Sequence, residues 1–299
     1  MPLFRCSSHL AFAGLAILLV AIQAVSEKGH AAEVTTIETA NFRILSFPHQ
    51  AAGQTVAVKC EAIRGEVALR WLGREAANTW TPKCDIVLHA TDDAYLREVG
   101  RGGRNTVASS LIDRDRGRIT GRRVDLLAAH ANWPTTALRH ELTHLVLADL
   151  FADQKLPRWL DEGMAILADS PEKQLQHRGD LDRALERGAE FRLLELIGLP
   201  DYPPAQRWGT FYGQSASLVQ FLIQQGGEQR FVEFVRVALA DGYDHGLQQV
   251  YSWRIPDLER QWRAQLRVPA VPPSARKATA ARRGSLERLG VQPVSLRMP

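Results

Sequence analysis

The apolar pattern of the sequence changes its period near Pro134. Between residues 41 and 130, short β-branched and apolar runs are separated by Asp, Gly and Arg turns, a pattern typical of short strands. Beyond Pro134, apolar residues recur at helical spacing as far as residue 266. The sequence therefore predicts an α+β fold, in which a small sheet subdomain is followed by a mostly helical second half.

The individual elements can be placed from the same pattern. We expect a mixed or antiparallel sheet built from strands at 42–47, 85–90, 106–112 and 123–127. One helix is expected among these strands, at 61–72. In the second half a helix opens at Pro134, and further helices are expected at 159–168, 174–197, 211–223, 228–240, 245–251 and 256–266.

The amino terminus has the features of a secretory leader. Arg5 precedes an uncharged apolar run, Leu10–Val25, and small residues follow it. The run is shorter than the roughly 20 residues that span a bilayer, so we interpret 1–32 as a signal peptide. We expect a secreted, periplasmic or cell-envelope protein without a membrane span after leader removal. The alternative is an N-terminal membrane anchor that stays uncleaved.

The charge of the chain is concentrated at its carboxyl end. The formal net charge is +4, but residues 271–299 alone carry +5 and the body between leader and tail carries −2. A slightly acidic body argues against a nucleic-acid partner. Residues 269–299 are rich in Pro, Ala, Arg and Ser without periodicity, which predicts a disordered basic tail. An alternative role for this tail is binding to an anionic surface.

Two cysteines, Cys60 and Cys84, remain after removal of a leader that contains Cys6. An even pair in an oxidising compartment favours a disulfide over a metal or redox site. Neither cysteine belongs to a CxxC motif, so we predict no catalytic role for them.

The segment His140-Glu141-Leu142-Thr143-His144 lies in the strongest helix pattern of the chain. Residues four apart project from one face of a helix, so both imidazoles can bind one metal ion while Glu141 stays beside it. Catalytic zinc takes three protein ligands and leaves one position open, and Glu162 is the best candidate for the third ligand. The alternative is a surface helix with two solvated histidines. The pattern favours one catalytic zinc ion per chain.

The position of Glu162 in the sequence suits this role. Pro157 breaks the first helix, and a turn there allows the next helix to pack back against it, with Trp159, Leu160 and Met164 as apolar contacts. Seventeen residues separate His144 from Glu162.

The HExxH motif together with the segment Trp159-Leu-Asp-Glu-Gly-Met-Ala165 resembles the gluzincin zinc metallopeptidases, specifically the peptidase-MA-like domains. The resemblance covers residues 40–267 and implies a zincin-like fold with the α+β order given above. It implies a catalytic domain with a sheet part at 33–132 and a helical part at 133–268, which carries the motif and the glutamate ligand.

The resemblance also implies roles for single residues. His140, His144 and Glu162 would bind zinc, and Glu141 would take a proton from the attacking water and pass it to the leaving amine. Tyr212 is a candidate donor to the oxyanion, or else a packed aromatic residue at a helix start.

Two further features follow from the same resemblance. Asp161 is a candidate to orient His144, or else a helix cap. The strand at 123–127 would be the edge along which an extended substrate binds.

These features predict an exported zinc-dependent metallopeptidase that acts on a peptide or protein substrate. The alternative is a non-catalytic zincin-fold module that serves binding or scaffolding in the cell envelope. The sequence pattern predicts no particular oligomeric state.

Overall fold

The computed structural model describes residues 35–46, 50–74, 79–128 and 137–266. The expected signal peptide at 1–32 and the expected basic tail at 269–299 lie outside these residues. No helix within the described ranges is both long and apolar enough to cross a membrane.

The architecture is α+β, as the sequence predicts, with the zincin-like order of a small sheet followed by helices. The described strands are β1 (Thr35–Glu38), β2 (Phe42–Ser46), β3 (Cys84–His89), β4 (Ala108–Asp115) and β5 (Arg118–Leu127). The helices of the first half are α1 (Gln50–Leu72) and α2 (Asp92–Val99). Those of the second half are α3 (Leu138–Leu150), α4 (Arg158–Ile166), α5 (Pro171–Glu186), α6 (Leu193–Ile197), α7 (Trp208–Gln224), α8 (Gly227–Asp241), α9 (Tyr243–Tyr251) and α10 (Ile255–Leu266).

The five-stranded sheet has the order β1-β2-β3-β5-β4. The three central strands run parallel, and β1 and β4 pair antiparallel at the two edges. The central β3 is buried along nearly its whole length, as expected of a parallel strand covered on both faces. The predicted strands are confirmed within a few residues, whereas β1 and α2 were not predicted.

The β4–β5 hairpin decides which strand lies at the edge of the sheet. Arg116 and Gly117 at its tip both have positive φ, 47° and 79°, and two such residues fit the tight turn that joins twisted antiparallel strands. The hairpin places β5 between β3 and β4. The prediction that 123–127 forms the edge strand is therefore wrong, and β4 is the edge on this side.

Within the first half of the helical region, α3 is the helix that contacts the sheet, and later helices pack on one another. Helix α3 contacts α1 and β4, and α7 contacts both α4 and α5. The prediction of one helix over 174–197 is wrong, because α5 ends at Glu186 and α6 begins only at Leu193. Gly188 adopts a positive φ of 61° there, and the amide of Ala189 donates to the carbonyl of Ala184, which closes the end of α5.

Cys60 and Cys84 are free thiols in the structure, so the predicted disulfide is not formed. Cys60 lies on α1 and Cys84 begins β3, and both side chains are fully buried. Burial raises the pKa of both thiols. They are therefore neutral, unreactive groups that fill the core like small apolar side chains.

The chain divides into two compact units at Ile255. The first unit carries the sheet and the helices through α9. The second unit, from Pro256 on, contributes α10, an amphipathic helix whose first turn holds Asp257 and whose last turn holds Arg263, as the helix dipole favours. The division of the catalytic region into 33–132 and 133–268 stays a prediction.

Trp71 anchors α1 in the core, where its side chain is 0% exposed and its ring centroid lies 6.2 Å from that of Phe231 on α8. Trp71→Ala leaves a cavity, so we expect the free energy of unfolding to fall by about 3 to 5 kcal/mol in urea titrations.

Leu69→Ala is the control, because this side chain on the same helix is 54% exposed. We expect it to change the free energy of unfolding by no more than about 0.5 kcal/mol. Equal effects of the two variants would contradict the packing described for α1.

Candidate metal centre and catalytic cleft

Helix α3 presents His140 and His144 on one face. Leu138, Leu142 and Leu145 project from the opposite side of the helix and are fully buried, which fixes its rotation. The two imidazole ring centroids lie 4.8 Å apart, one helical turn from each other. The predicted pair of ligands is thus formed by the spacing of the motif and the packing of the helix.

Helix α4 brings Glu162 to these histidines. The chain turns at Pro157. The carbonyl oxygen of Pro157 accepts hydrogen bonds from the backbone amides of Leu160 and Asp161 at the start of α4. The side chains of Trp159, Leu160 and Met164 are buried. Helix α4 contacts α3, so it packs back against the first helix as the sequence predicts.

The three predicted ligands converge. Glu162 Oε2 lies 3.5 Å from His140 Nε2 and 3.9 Å from His144 Nε2. One ligand atom from each residue falls within 4.8 Å of the other two. Two donors at about 2.0 to 2.2 Å from one ion can lie no more than about 4.4 Å apart, so the separations of 3.5 and 3.9 Å from Glu162 suit a shared ion.

Gly163 explains how α4 comes close enough to its neighbour. A Cβ atom at this position would lie 2.6 Å from Val219 Cγ2 and 2.7 Å from the carbonyl oxygen of Ser215 on α7. Backbone atoms cannot yield to such a contact. The glycine next to the glutamate ligand therefore allows the close packing of α4 on α7 that fixes Glu162.

Each imidazole is held from behind by a carboxylate. His144 Nδ1 lies 2.8 Å from Asp161 Oδ1, and His140 Nδ1 lies 3.2 Å from Asp169 Oδ2. When Nδ1 donates to a carboxylate, Nε2 is left to bind a metal, and the ring orientation is fixed. Asp161 thus occupies the orienting position that the resemblance implies. Asp169, which follows α4 in a turn, was missed because no motif marks it.

The charges of the cluster support one another. Burial disfavours the protonated form of His140, but Asp169 and Glu162 outweigh burial and raise its pKa to about 9. His144 behaves in the same way, since Asp161 and Glu162 overcome burial and raise its pKa to about 10. Burial also disfavours the Glu162 carboxylate, yet the two imidazoles and the Tyr202 hydroxyl lower its pKa to about 2. The site is therefore built to hold positive charge next to a carboxylate.

Glu141 projects beside the ligands rather than among them. Its Oε2 accepts a hydrogen bond of 2.6 Å from Ser110 Oγ on the edge strand β4. This bond ties the carboxylate of the motif to the sheet. Ser110 was not predicted as a site residue, because a single serine in a strand gives no pattern.

Tyr202 is a further residue that the sequence did not indicate. Its hydroxyl donates to Glu162 Oε1. Burial and the adjacent Glu162 carboxylate raise its pKa, so the phenol stays neutral. It lies in the Pro-rich connection between α6 and α7, where neither helical nor strand periodicity points to a site.

Tyr212, the predicted oxyanion donor, lies on α7 and lines the same cleft. Its ring centroid is 5.7 Å from that of His177 and 6.4 Å from that of Tyr202. Burial raises the pKa of its hydroxyl, with smaller contributions from Glu162 and Glu141. A neutral phenol close to both carboxylates fits the predicted position, while its role stays a prediction.

These side chains surround a cleft of about 790 Å³ between the edge strand and helix α3. One wall is formed by β4 and the floor by the motif helix. The opposite wall comes from α4, α5, α7 and the connection that carries Tyr202. The cleft is lined among others by Ser110, Leu111, Glu141, His144, Glu162, His177 and Tyr212.

The donor set fits zinc. Two imidazole nitrogens and one carboxylate oxygen form the ligand set of catalytic zinc sites, which keep one position open. Zinc-binding histidines usually donate their second ring N–H to a carboxylate or a carbonyl group, and Asp169 and Asp161 are the carboxylates in that position here. His140, His144 and Glu162 are the residues that would hold the ion.

Comparison with known families supports the same assignment. Residues 122–268 match the family model of the Peptidase MA superfamily. The match begins within β5 and includes the three predicted metal ligands, Glu141, Tyr202 and Tyr212. A search of curated proteins found no match.

Gly163→Ala should disrupt the ligand set, because the added methyl group meets the backbone of α7. We expect a loss of stability of about 1 to 3 kcal/mol from overpacking and weaker zinc binding, measured by thermal unfolding and by chelator competition.

Gly65→Ala on α1 is the matched control, because a Cβ atom there meets nothing within 4 Å. It should leave zinc binding unchanged and stabilise the fold by up to about 1 kcal/mol. Unchanged zinc binding in Gly163→Ala would contradict the role of this close approach.

Asp169→Asn removes the negative charge behind His140 and should weaken zinc binding by about ten- to a hundredfold. Asp182→Asn breaks an exposed ion pair with Arg178 on α5 and should have no effect. Chelator competition at constant pH measures both, and equal affinities would show that Asp169 has no part in holding the ligand.

Proposed function

The chain carries a gluzincin-like domain of the Peptidase MA superfamily at residues 122–268, and on this premise we propose that it is a zinc-dependent metallopeptidase. The proposal depends on one observation, the convergence of His140 Nε2, His144 Nε2 and Glu162 Oε2 in an open cleft. Zinc dependence and peptide substrates are typical of this superfamily. One zinc ion per chain and hydrolysis of peptide bonds follow from the proposal.

Glu141 acts as the general base and acid of the reaction. Bound zinc supplies Lewis acidity, which acidifies water and polarises a carbonyl group. Glu141 takes a proton from the attacking water and returns it to the leaving amine. The bond from Ser110 Oγ to one carboxylate oxygen holds this side chain in place, and its second oxygen remains to accept the proton.

Tyr212 supplies a hydrogen bond to the negative charge that develops on the carbonyl oxygen. Its raised pKa keeps the hydroxyl protonated over the physiological range, and a neutral donor is what this role requires. The location of the ring in the cleft supports this role over that of a purely packed aromatic residue.

The substrate binds as an extended strand along β4. This strand is the edge of the sheet next to the cleft, and several of its residues line the cleft. An edge strand presents unpaired amide and carbonyl groups that an extended peptide can use. Leu111, which is 56% exposed on β4, offers an apolar contact for a substrate side chain.

The protein acts outside the cytoplasm, as a secreted, periplasmic or cell-envelope enzyme. The support for this part of the proposal is the leader pattern of Arg5 and Leu10–Val25 in the sequence. Fractionation of cells that produce the full chain, with amino-terminal sequencing of the mature protein, tests it.

The alternative is a non-catalytic zincin-fold module of the cell envelope. Such a module can keep the fold and the ligands, but it has no use for a general base. Glu141→Gln separates the two, because it removes the base and leaves the ligands intact.

Glu141→Gln should lower the cleavage rate of a peptide library by at least about a hundredfold while zinc content stays at one ion per chain. Glu186→Gln, an exposed glutamate at the end of α5, should cleave like the wild type. Cleavage is measured with and without chelator, and zinc by elemental analysis. Full activity of Glu141→Gln, or cleavage that survives metal removal, would exclude the proposed mechanism.

A further inference from the structure

The two oxygens of the Glu162 carboxylate have different neighbours. Oε2 faces both imidazoles, at 3.5 Å from His140 Nε2 and 3.9 Å from His144 Nε2. Oε1 instead accepts the hydrogen bond from the Tyr202 hydroxyl. The side chain is buried, with 5% of the residue exposed, so these protein groups rather than solvent determine how the carboxylate is oriented.

Several side chains contact the ring of Tyr202, although 37% of the residue is exposed. The Arg158 guanidinium lies over its ring, 4.7 Å from the centroid, and the same guanidinium pairs with Asp201 at 3.1 Å. The rings of Phe211 and Trp208 lie on α7, with centroids at 5.9 Å and 6.4 Å from that of Tyr202. These contacts orient the ring whose hydroxyl donates to Glu162 Oε1.

Arg158 also connects this arrangement to the second histidine. Its Nη1 lies 3.8 Å from Asp161 Oδ2, and Asp161 Oδ1 is the group that holds His144 Nδ1. The Arg158 guanidinium therefore lies next to Tyr202, which contacts Glu162, and next to Asp161, which contacts His144. The side chains that hold these two predicted ligands are thus in contact with one another through Arg158.

We propose that Tyr202 is a positioning residue that restricts Glu162 to a single ligand oxygen. The hydrogen bond from Tyr202 competes with coordination through Oε1, so Oε2, which faces both imidazoles, is the oxygen offered to the ion. A carboxylate that binds through both oxygens would occupy the position that catalytic zinc keeps for water. This inference rests on the zinc site of the proposed function and assigns the geometry of that site to a residue outside the ligand set.

Tyr202→Phe isolates this bond, because phenylalanine keeps the ring contacts with Arg158 and with α7. The test measures the zinc dissociation constant by chelator competition, with no substrate present. We expect it to rise about ten- to a hundredfold, as for other outer contacts of a metal ligand. In cobalt-substituted protein, the visible absorption should weaken, because the intensity of these bands falls when coordination number increases.

Tyr243→Phe is the matched control. The Tyr243 hydroxyl accepts a 2.9 Å hydrogen bond from Trp159 Nε1, so this variant also removes a tyrosine hydroxyl that contacts α4. It touches no ligand, and we expect unchanged zinc affinity and an unchanged cobalt spectrum. A Tyr202→Phe protein that matches the wild type in both measurements overturns the proposal, as does an equal change in both variants.

A second measurement covers the case in which Tyr202→Phe does not fold. Wild-type protein loaded with cobalt in place of zinc should show the intense visible absorption of a four-coordinate site, as a single ligand oxygen from Glu162 and one open position require. The weak absorption of a five- or six-coordinate site would overturn the proposal. A wild-type protein that binds no zinc overturns the proposed function as well, whereas normal zinc binding that is insensitive to Tyr202 overturns this inference alone.

Discussion

The site depends on the burial of one negative charge. A carboxylate removed from water is costly unless charged or hydrogen-bonding groups replace the lost solvent. Around Glu162 these groups are the imidazoles of His140 and His144 and the hydroxyl of Tyr202. The imidazoles are in turn each backed by a carboxylate. The alternation of charge from the centre outwards explains why the pKa of the glutamate is lowered while those of both histidines are raised.

Packing between helices and one hairpin turn bring these residues together. The motif helix α3 is fixed in rotation by its buried leucines, and α4 returns to it after Pro157. Gly163 lets α4 approach α7 closely, and the hairpin turn at Gly117 places β4 along the opposite wall of the cleft. Glu141, the proposed general base, is tied to that strand through Ser110. The proposed metal ligands and the proposed substrate-binding edge thus line one cleft.

The sequence predicts those parts of the site that depend on local periodicity. Two histidines four residues apart must share a helix face, and a proline followed by apolar residues at helical spacing indicates a helix that returns to the first. Asp161 could be predicted because it adjoins the ligand. Tyr202, Asp169 and Ser110 could not, since they come from connections and from an edge strand whose positions depend on tertiary packing.

The errors have separate origins. The prediction of an edge strand at 123–127 comes from the family resemblance, and it fails because the β4–β5 hairpin adds its first strand outside its second. The predicted pairing of the cysteines rests on compartment and number, which do not fix the mutual geometry that a disulfide needs, and both remain free thiols. The sequence predicts one helix over 174–197 because the polar pattern is similar on both sides of Gly188, whereas the structure has two helices there.

The most direct test of the central claim is a crystal structure of the protein grown with zinc, with anomalous scattering recorded at the zinc edge. The account predicts one strong anomalous peak within about 2.0 to 2.2 Å of His140 Nε2, His144 Nε2 and Glu162 Oε2, with one coordination position open to the cleft. A peak elsewhere, or an ion that does not contact Glu162, would contradict it.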